Sequence, residues 1–525
     1  MSGEKIGERT KRSSFNIILG LLNNFISLVL AFISRKLFIQ YIGVEVLGLN
    51  GLFTNILSLL SLADLGFGTA MNYSFYKPLA ENDREKLAAL IWFYKRVYYI
   101  IAVAVAVVGV LLVPFLNQIT NADGNIQYLE LYYLFFLTNT VVSYLFVYKS
   151  SIISADQKNY VVNICQIIIN IVKIALQIVV ILLLKSYIAY LAVMIIATLL
   201  NNILISIVAN KKYPYIKEKA ILSKEERRGI FDNLKSVFLY KISSTLLNSI
   251  DSILIANLIS LGIVGYYSNY QTIILNLTSV ITIIFTSLTA SVANMIIKES
   301  SEVRYKIFKV MQLMSFFLSA FVAIGVYSLS TDFVSMWLGT EYVLGEDVVI
   351  ALSFNIFFST SMQPLWVFRE ATGLYRRTKY IMLIAAGVNL ILSIGFGLLW
   401  GLAGIIWATV LAKMSTYFWY EPHLLFKKYF NQNERNYYFL YIKNIAVMMV
   451  CAILLKIIFY FMPYIGILWW ILKAIICAVI VVGSYVLLYY RTNEFKYIKE
   501  KLRSFFLKRK CVQHRNIDIK SEIDD

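Results

Sequence analysis

Charge is what this chain has least of: Asp, Glu, Lys and Arg make up 15% of its 525 residues, against 59% hydrophobic ones. Soluble domains carry roughly a quarter charged residues, so a water-soluble fold is excluded and an integral membrane protein is expected. Histidine is nearly missing. His423 and His514 are the only two, and neither has metal-ligand spacing. The four cysteines, Cys165, Cys451, Cys477 and Cys511, fall in expected spans or the inner tail, without a disulfide context. No Walker A loop occurs, which leaves ATP hydrolysis unsupported. No outer loop reaches about 20 residues, the length of one membrane span, so no soluble enzyme domain fits there.

What the chain has instead is long apolar runs. A helical span needs about 20 mostly apolar residues. Windows of that size place spans near 14–39, 46–74, 90–116, 129–153, 160–184, 187–209, 236–261, 265–297, 307–330, 348–370, 379–399, 402–420, 444–463 and 467–490. The expected fold is all-α, integral to the membrane, with 14 transmembrane helices. The cations set the orientation. With the N-terminus in the cytoplasm, 42 of the 49 Lys and Arg fall on the inner side, and Lys185 is the only outer loop cation. Both termini are therefore expected inside.

The net charge of +19 follows from that topology. The cations are spread over many short loops and not gathered on one domain, so nucleic acid is not an expected partner. The bilayer is, since its cytoplasmic leaflet attracts basic loops. The tail "FKYIKEKLRSFFLKRK" (495–510) reads as a basic amphipathic helix lying on that leaflet.

An internal duplication is legible, a common feature of transporters. A shift of about 217 residues aligns "GLNGLFTNI" (48–56) with "GYYSNYQTI" (265–273), and brings Asn170 near Asn389 and Ala197-Thr198 near Ala408-Thr409. The expected organisation is an N-terminal six-helix lobe (1–209), a cytoplasmic inter-lobe linker (210–235) and a pseudo-symmetric C-terminal six-helix lobe (236–420). An appended helix pair (421–490) and a basic cytoplasmic tail (491–525) follow. In the linker, "SKEE" (223–226) reads as a capping box of Ser223 with Glu226, opening a short surface helix on a flexible strap.

A charge at the bilayer centre costs about 2.5–3.5 kcal/mol on insertion scales, so each one calls for a reason. Arg35 and Lys36 end the first run, projecting about 100° apart on a helix. Either can snorkel to the headgroups or face a cavity, and the guanidinium fork suits a phosphate. Lys173, in "NIVKIALQ", is deep enough to make snorkelling difficult. Lys241, in "FLYKISS", is open to both readings. Asp251 maps onto position 34, next to Arg35, so an Arg35–Asp251 gate is one expectation and a hydrogen bond within its own lobe the other. Asp64, beside Gly66 and Gly68, suits a structural hydrogen bond or ion coupling. Asn24 and Asn50 belong to a polar run concentrated in spans 1, 2, 7 and 8, which reads as a wet surface between the lobes or as polar glue between helices. Lys456 and Lys473, in the appended pair, are expected to meet lipid or to snorkel.

The stretch "YIGVEVLGLNGLFTNILSLLSLADLGFGTAMNYSFYKPLAENDREKL" (41–87) resembles the start of Wzx-type oligosaccharide flippases, within the wider MATE-like superfamily of multidrug and oligosaccharidyl-lipid exporters. Relatives carry an arginine in the first span, matched here by Arg35. The resemblance implies a bacterial cytoplasmic-membrane protein for capsular or O-antigen polysaccharide biosynthesis, not an enzyme and without a cofactor. Its substrate would be a polyprenyl-pyrophosphate-linked oligosaccharide, moved outward by alternating access, beside a polysaccharide polymerase or alone. Arg35, Lys36, Lys173, Lys241, Asn24 and Asn50 would meet the substrate, with Asp64 and Asp251 as gate or ion-coupling groups. Na⁺ or H⁺ coupling, or the membrane potential alone, stays open as the drive. A lipid II or teichoic-acid-precursor flippase and a MATE-type multidrug cation exporter are the alternatives.

Overall fold

A computed structural model describes residues 22, 26, 28–61, 67–120, 126–156, 158–218, 220–463, 466–501 and 503. Every regular element among them is helical. Among the described residues, nine helices are long and apolar enough to cross a membrane, or ten if the bent pair Leu129–Tyr144 and Val147–Ala155, angled by 45°, is one span. The protein is thus a multi-pass membrane protein, and the described residues do not confirm the expected count of 14. The reasons are local. Part of the first span, residues 14–21, 23–25 and 27, lies outside the described residues, and Val44–Leu60 has only 17 residues. The eleventh and twelfth spans run together as Arg377–Phe430. Gly401 breaks that run with φ 58° and ψ −137°, a left-handed conformation that a side chain would strain.

The described residues form two compact units. The first holds Met1–Asn276, Tyr342–Leu344 and Tyr375–Phe418, the second Leu277–Glu341, Gly345–Leu374 and Trp419–Asp525. In the first, Leu49, Leu52, Phe53, Tyr94 and Tyr133 are fully buried, and Phe53 meets Tyr133 edge-on at 5.3 Å. In the second, Phe308, Phe316, Phe357 and Tyr441 form the core, with Phe316 edge-on to Tyr441 at 4.8 Å. Edge-to-face rings are favoured over a face-to-face sandwich by their quadrupoles. Outward faces are apolar: on Asn159–Leu184, Ile168, Leu176, Leu183 and Leu184 are exposed, as lipid requires.

Helix starts follow short polar signals. Asp83 accepts from Lys86 N and Ser186 from Ala189 N, capping Arg84–Leu111 and Tyr187–Lys212. Lys211 and Lys212 end the latter where the helix dipole favours cations. The capping box at Ser223 and Glu226 is formed, yet the helix it opens is no short surface element; it runs unbroken from Lys224 to Leu258. Nor is the linker a loose strap: Tyr213, Ile216 and Leu222 are buried, and Tyr213 OH donates to Asp156 at 2.6 Å. In the tail, a helix covers 493–501; most of the rest of the expected amphipathic stretch lies outside the described residues.

Candidate functional site

Arg35 is held by one face of the helix Leu261–Thr286. Its Nε donates to Asn269 Oδ1 at 2.5 Å, Nη1 to Thr272 Oγ1 at 2.5 Å, and Nη2 to Ser268 Oγ. Positions 268, 269 and 272 face one side of a helix, so the planar fork matches their spacing. Every acceptor is neutral. Asn55 Nδ2 donates to Ser252 Oγ at 2.8 Å. A shift of 217 residues carries Arg35 onto Ser252 and Asn55 onto Thr272, so the two bonds are related by one offset.

The helices Val44–Leu60 and Leu261–Thr286 touch backbone to backbone in the same symmetric way. A Cβ at Gly48 would lie 2.1 Å from the Leu261 carbonyl oxygen, and one at Gly265 would lie 2.5 Å from that of Val44. Glycine is required at both crossings because nothing larger fits between the backbones.

The expected Arg35–Asp251 pair is not formed. Asp251 is buried with Thr409 Oγ1 at 3.3 Å from both carboxylate oxygens, and Asn389 Nδ2 donates to Thr409 at 2.9 Å. Lys413, also buried, lies within electrostatic reach of Asp251. Asp251 is therefore served within its own half, by residues the sequence had placed near Asn170 and Thr198 by duplication.

Those counterparts line a cavity of about 480 Å³. Its walls come from the bent pair 129–155 and the helices Asn159–Leu184 and Tyr187–Lys212, and include Gln166, Asn170, Lys173, Thr198, Asn201 and Asn202. Lys173 Nζ donates to Asn170 Oδ1 at 3.2 Å. Thr198 Oγ1 donates to Asn139 Oδ1 at 2.7 Å and Asn202 Nδ2 to Val142 O at 3.0 Å, fixing the wall between two helices.

Among the other sequence candidates, Asn50 accepts from Tyr187 OH at 2.6 Å and does not line this cavity. Lys36 is exposed. Lys241 belongs to Lys224–Leu258. Asn24 and Asp64 lie outside the described residues. Lys473 and Lys456 do not simply meet lipid or snorkel: Lys473 pairs with Asp332 at 2.6 Å and Lys456 with Glu346 at 2.5 Å. The buried pair Arg369–Glu421, closed at 2.6 Å, was missed in the sequence reading. Both residues read as inner-loop charges; the available signal was Glu421 preceding a proline inside an apolar helix.

The fold is that of membrane transporters. It is similar to a structure described as the lipid II flippase MurJ in an inward closed conformation, with TM-score 0.68 and 16% identity over 90% of this chain and 99% of that one. An inward-facing multidrug resistance MATE family transporter of the MOP superfamily gives TM-score 0.58 and 12% identity, over 74% and 91%. A MOP superfamily transporter from Pyrococcus furiosus gives 0.52 and 11%, over 76% and 92%. No curated protein matches the sequence significantly. Residues 14–290, more than half of the chain, match the family described as polysaccharide biosynthesis protein, and the chain belongs to that family.

Proposed function

We propose that this protein flips polyprenyl-pyrophosphate-linked oligosaccharide repeat units from the cytoplasmic to the external leaflet of the bacterial plasma membrane, with both termini inside. Membership of the polysaccharide biosynthesis family across residues 14–290, in a chain with a transporter fold, carries the reading. The headgroup cannot cross hydrocarbon unaided, because its polar groups would go unsatisfied there. A polar cavity among apolar helices is the kind of space that carries such a headgroup. Arg35, Lys36, Lys173, Lys241, Asn24 and Asn50 would serve the cargo, with Asp64 and Asp251 in gating or ion coupling. The cargo is moved, not transformed, and a polymerase on the outer face would consume it. An inside-negative potential favours outward passage of an anion by about 2.3 kcal/mol per charge per 100 mV, so the charge argument does not require Na⁺ or H⁺ coupling, and either the potential or an ion gradient can serve as the drive.

A lipid II or teichoic-acid-precursor cargo is the second reading, favoured by the 90% coverage in the match to the flippase structure. A drug-cation exporter is disfavoured, since the cavity wall carries Lys173 and no carboxylate. Deleting the gene and profiling lipid-linked intermediates tests the proposal. An oligosaccharide on a polyprenyl carrier should accumulate on the cytoplasmic leaflet; unchanged intermediates with drug hypersensitivity would overturn it.

A further inference from the structure

The cavity around Lys173 has a lopsided chemistry. It contains one cation and no carboxylate, with amides and hydroxyls of Ser143, Ser150, Gln166, Asn170, Thr198 and Asn201 set among apolar residues that include Phe146, Val162 and Ile169. The volume of about 480 Å³ is in the range of small-molecule sites. One observation says that this wall awaits a ligand. Lys173 has no acidic partner among the described residues; its ammonium donates to the neutral Asn170 at the cavity wall. A charge left in that state is costly inside a membrane protein, and the cost is relieved by a molecule bringing one negative charge.

We infer that the cavity binds the sugar portion of the cargo and selects a glycan carrying a single carboxylate, of the uronic acid class. The proposal rests on the flippase reading and adds what that reading leaves open: the chemistry of the sugars. A diphosphate is the other anion at hand, but it brings at least two charges on a compact group with no hydroxyl donors. One lysine in a field of amides does not match it. A uronate does: its carboxylate pairs with Lys173, its hydroxyls bond Gln166, Asn170 and Thr198, and the C–H face of its ring lies on Phe146.

The test uses the full chain in lipid nanodiscs, with thermal protection titrated against methyl β-glucuronide, methyl β-glucoside and inorganic pyrophosphate. The glucuronide should protect at about tenfold lower concentration than the glucoside, the worth of one charge-assisted hydrogen bond, and Lys173→Gln should erase that difference. Equal protection by the two sugars in the natural protein overturns the proposal, and that comparison needs no variant. Protection by pyrophosphate that is lost in Lys173→Gln also overturns it and gives the lysine to the carrier's phosphates. Reconstituted vesicles separate the two readings. Failure to flip neutral and acidic polyprenyl-linked glycans alike removes the flippase reading, and with it the sugar assignment. Equal flipping of both by the natural protein and by Lys173→Gln leaves the flippase standing and removes the acidic-sugar selection.

Discussion

Gly48 and Gly265 are two copies of one contact. Each lies where a Cβ would strike the backbone oxygen at the start of the other's helix, Leu261 for the first and Val44 for the second. The shift of 217 residues that relates the glycines also relates the two carbonyls, and it relates the Arg35–Thr272 bond to the Asn55–Ser252 bond. Four contacts with one offset make this crossing locally pseudo-twofold.

The crossing should therefore respond equally from either side. Gly48→Val and Gly265→Val each force two backbones apart, and overpacking of that kind costs about 1–3 kcal/mol or more. Both should lower the thermal midpoint in detergent. Gly387→Ala, where nothing lies within 4 Å, should leave it unchanged or raise it slightly. A midpoint untouched by either valine would show that the helices do not meet there.

The two symmetric hydrogen bonds differ in strength because one is charged. Asn55→Ala removes a neutral amide–hydroxyl bond, worth about 0.5–1.5 kcal/mol, whereas Arg35→Ala removes charge-assisted bonds of about 1.5–3 kcal/mol each. Arg35→Lys should recover only part of the loss, since an ammonium cannot span three acceptors with a planar fork. Unfolding midpoints in the order natural, Asn55→Ala, Arg35→Lys, Arg35→Ala are expected. In cells, Arg35→Ala should abolish polymer export while the protein stays in the membrane.

The linker carries a pH-sensitive anchor. Glu226 pairs with Lys86 at 2.7 Å, and this bond, followed by the Ser223 backbone N–H, holds its carboxyl below the ordinary value. Lys86 is raised, chiefly by the same bond. A lowered acid stabilises the folded form above its unfolded pKa of about 4.3, and that contribution fades as pH falls through the lower folded value. A raised lysine contributes below about 10.4 and loses its share as pH climbs through the higher folded value. Anchoring should thus be flat through neutral pH and fail in acid. Both side chains are over a third exposed, so the effect stays below about 1 kcal/mol and shrinks in salt. Protease cleavage within 210–235 should accelerate only in strong acid, and Glu226→Gln should show the faster rate at neutral pH.

Hydropathy made most spans legible, since burial in lipid is written residue by residue along a run. The capping box was legible for the same reason: it is a pattern within one stretch. Partners across spans were not. Arg35 was recognisable as a cation needing a reason, but its acceptors depend on the rotation of Leu261–Thr286, which no window average records. Lys413 counted as an inner-side cation yet sits buried near Asp251. Lys473 read as facing lipid yet meets Asp332, because the acid comes from a helix 141 residues away.

The pair Arg369–Glu421 is the most demanding of these hidden contacts, since its side chains are only 5% and 3% exposed. Desolvating two ions offsets much of their attraction, so the intact pair adds little net stability. Breaking it is different. Glu421→Gln or Arg369→Met leaves one charge buried without its counter-ion, at a cost of about 3–5 kcal/mol. Glu421 Oε2 is already without a partner among the described residues, which adds to what Arg369→Met would strand. The double replacement Arg369→Met with Glu421→Leu removes both charges and should recover most of the midpoint lost by either single change. A double variant as unstable as the sum of the singles would mean that the two groups act independently, and that the 2.6 Å contact contributes no coupling.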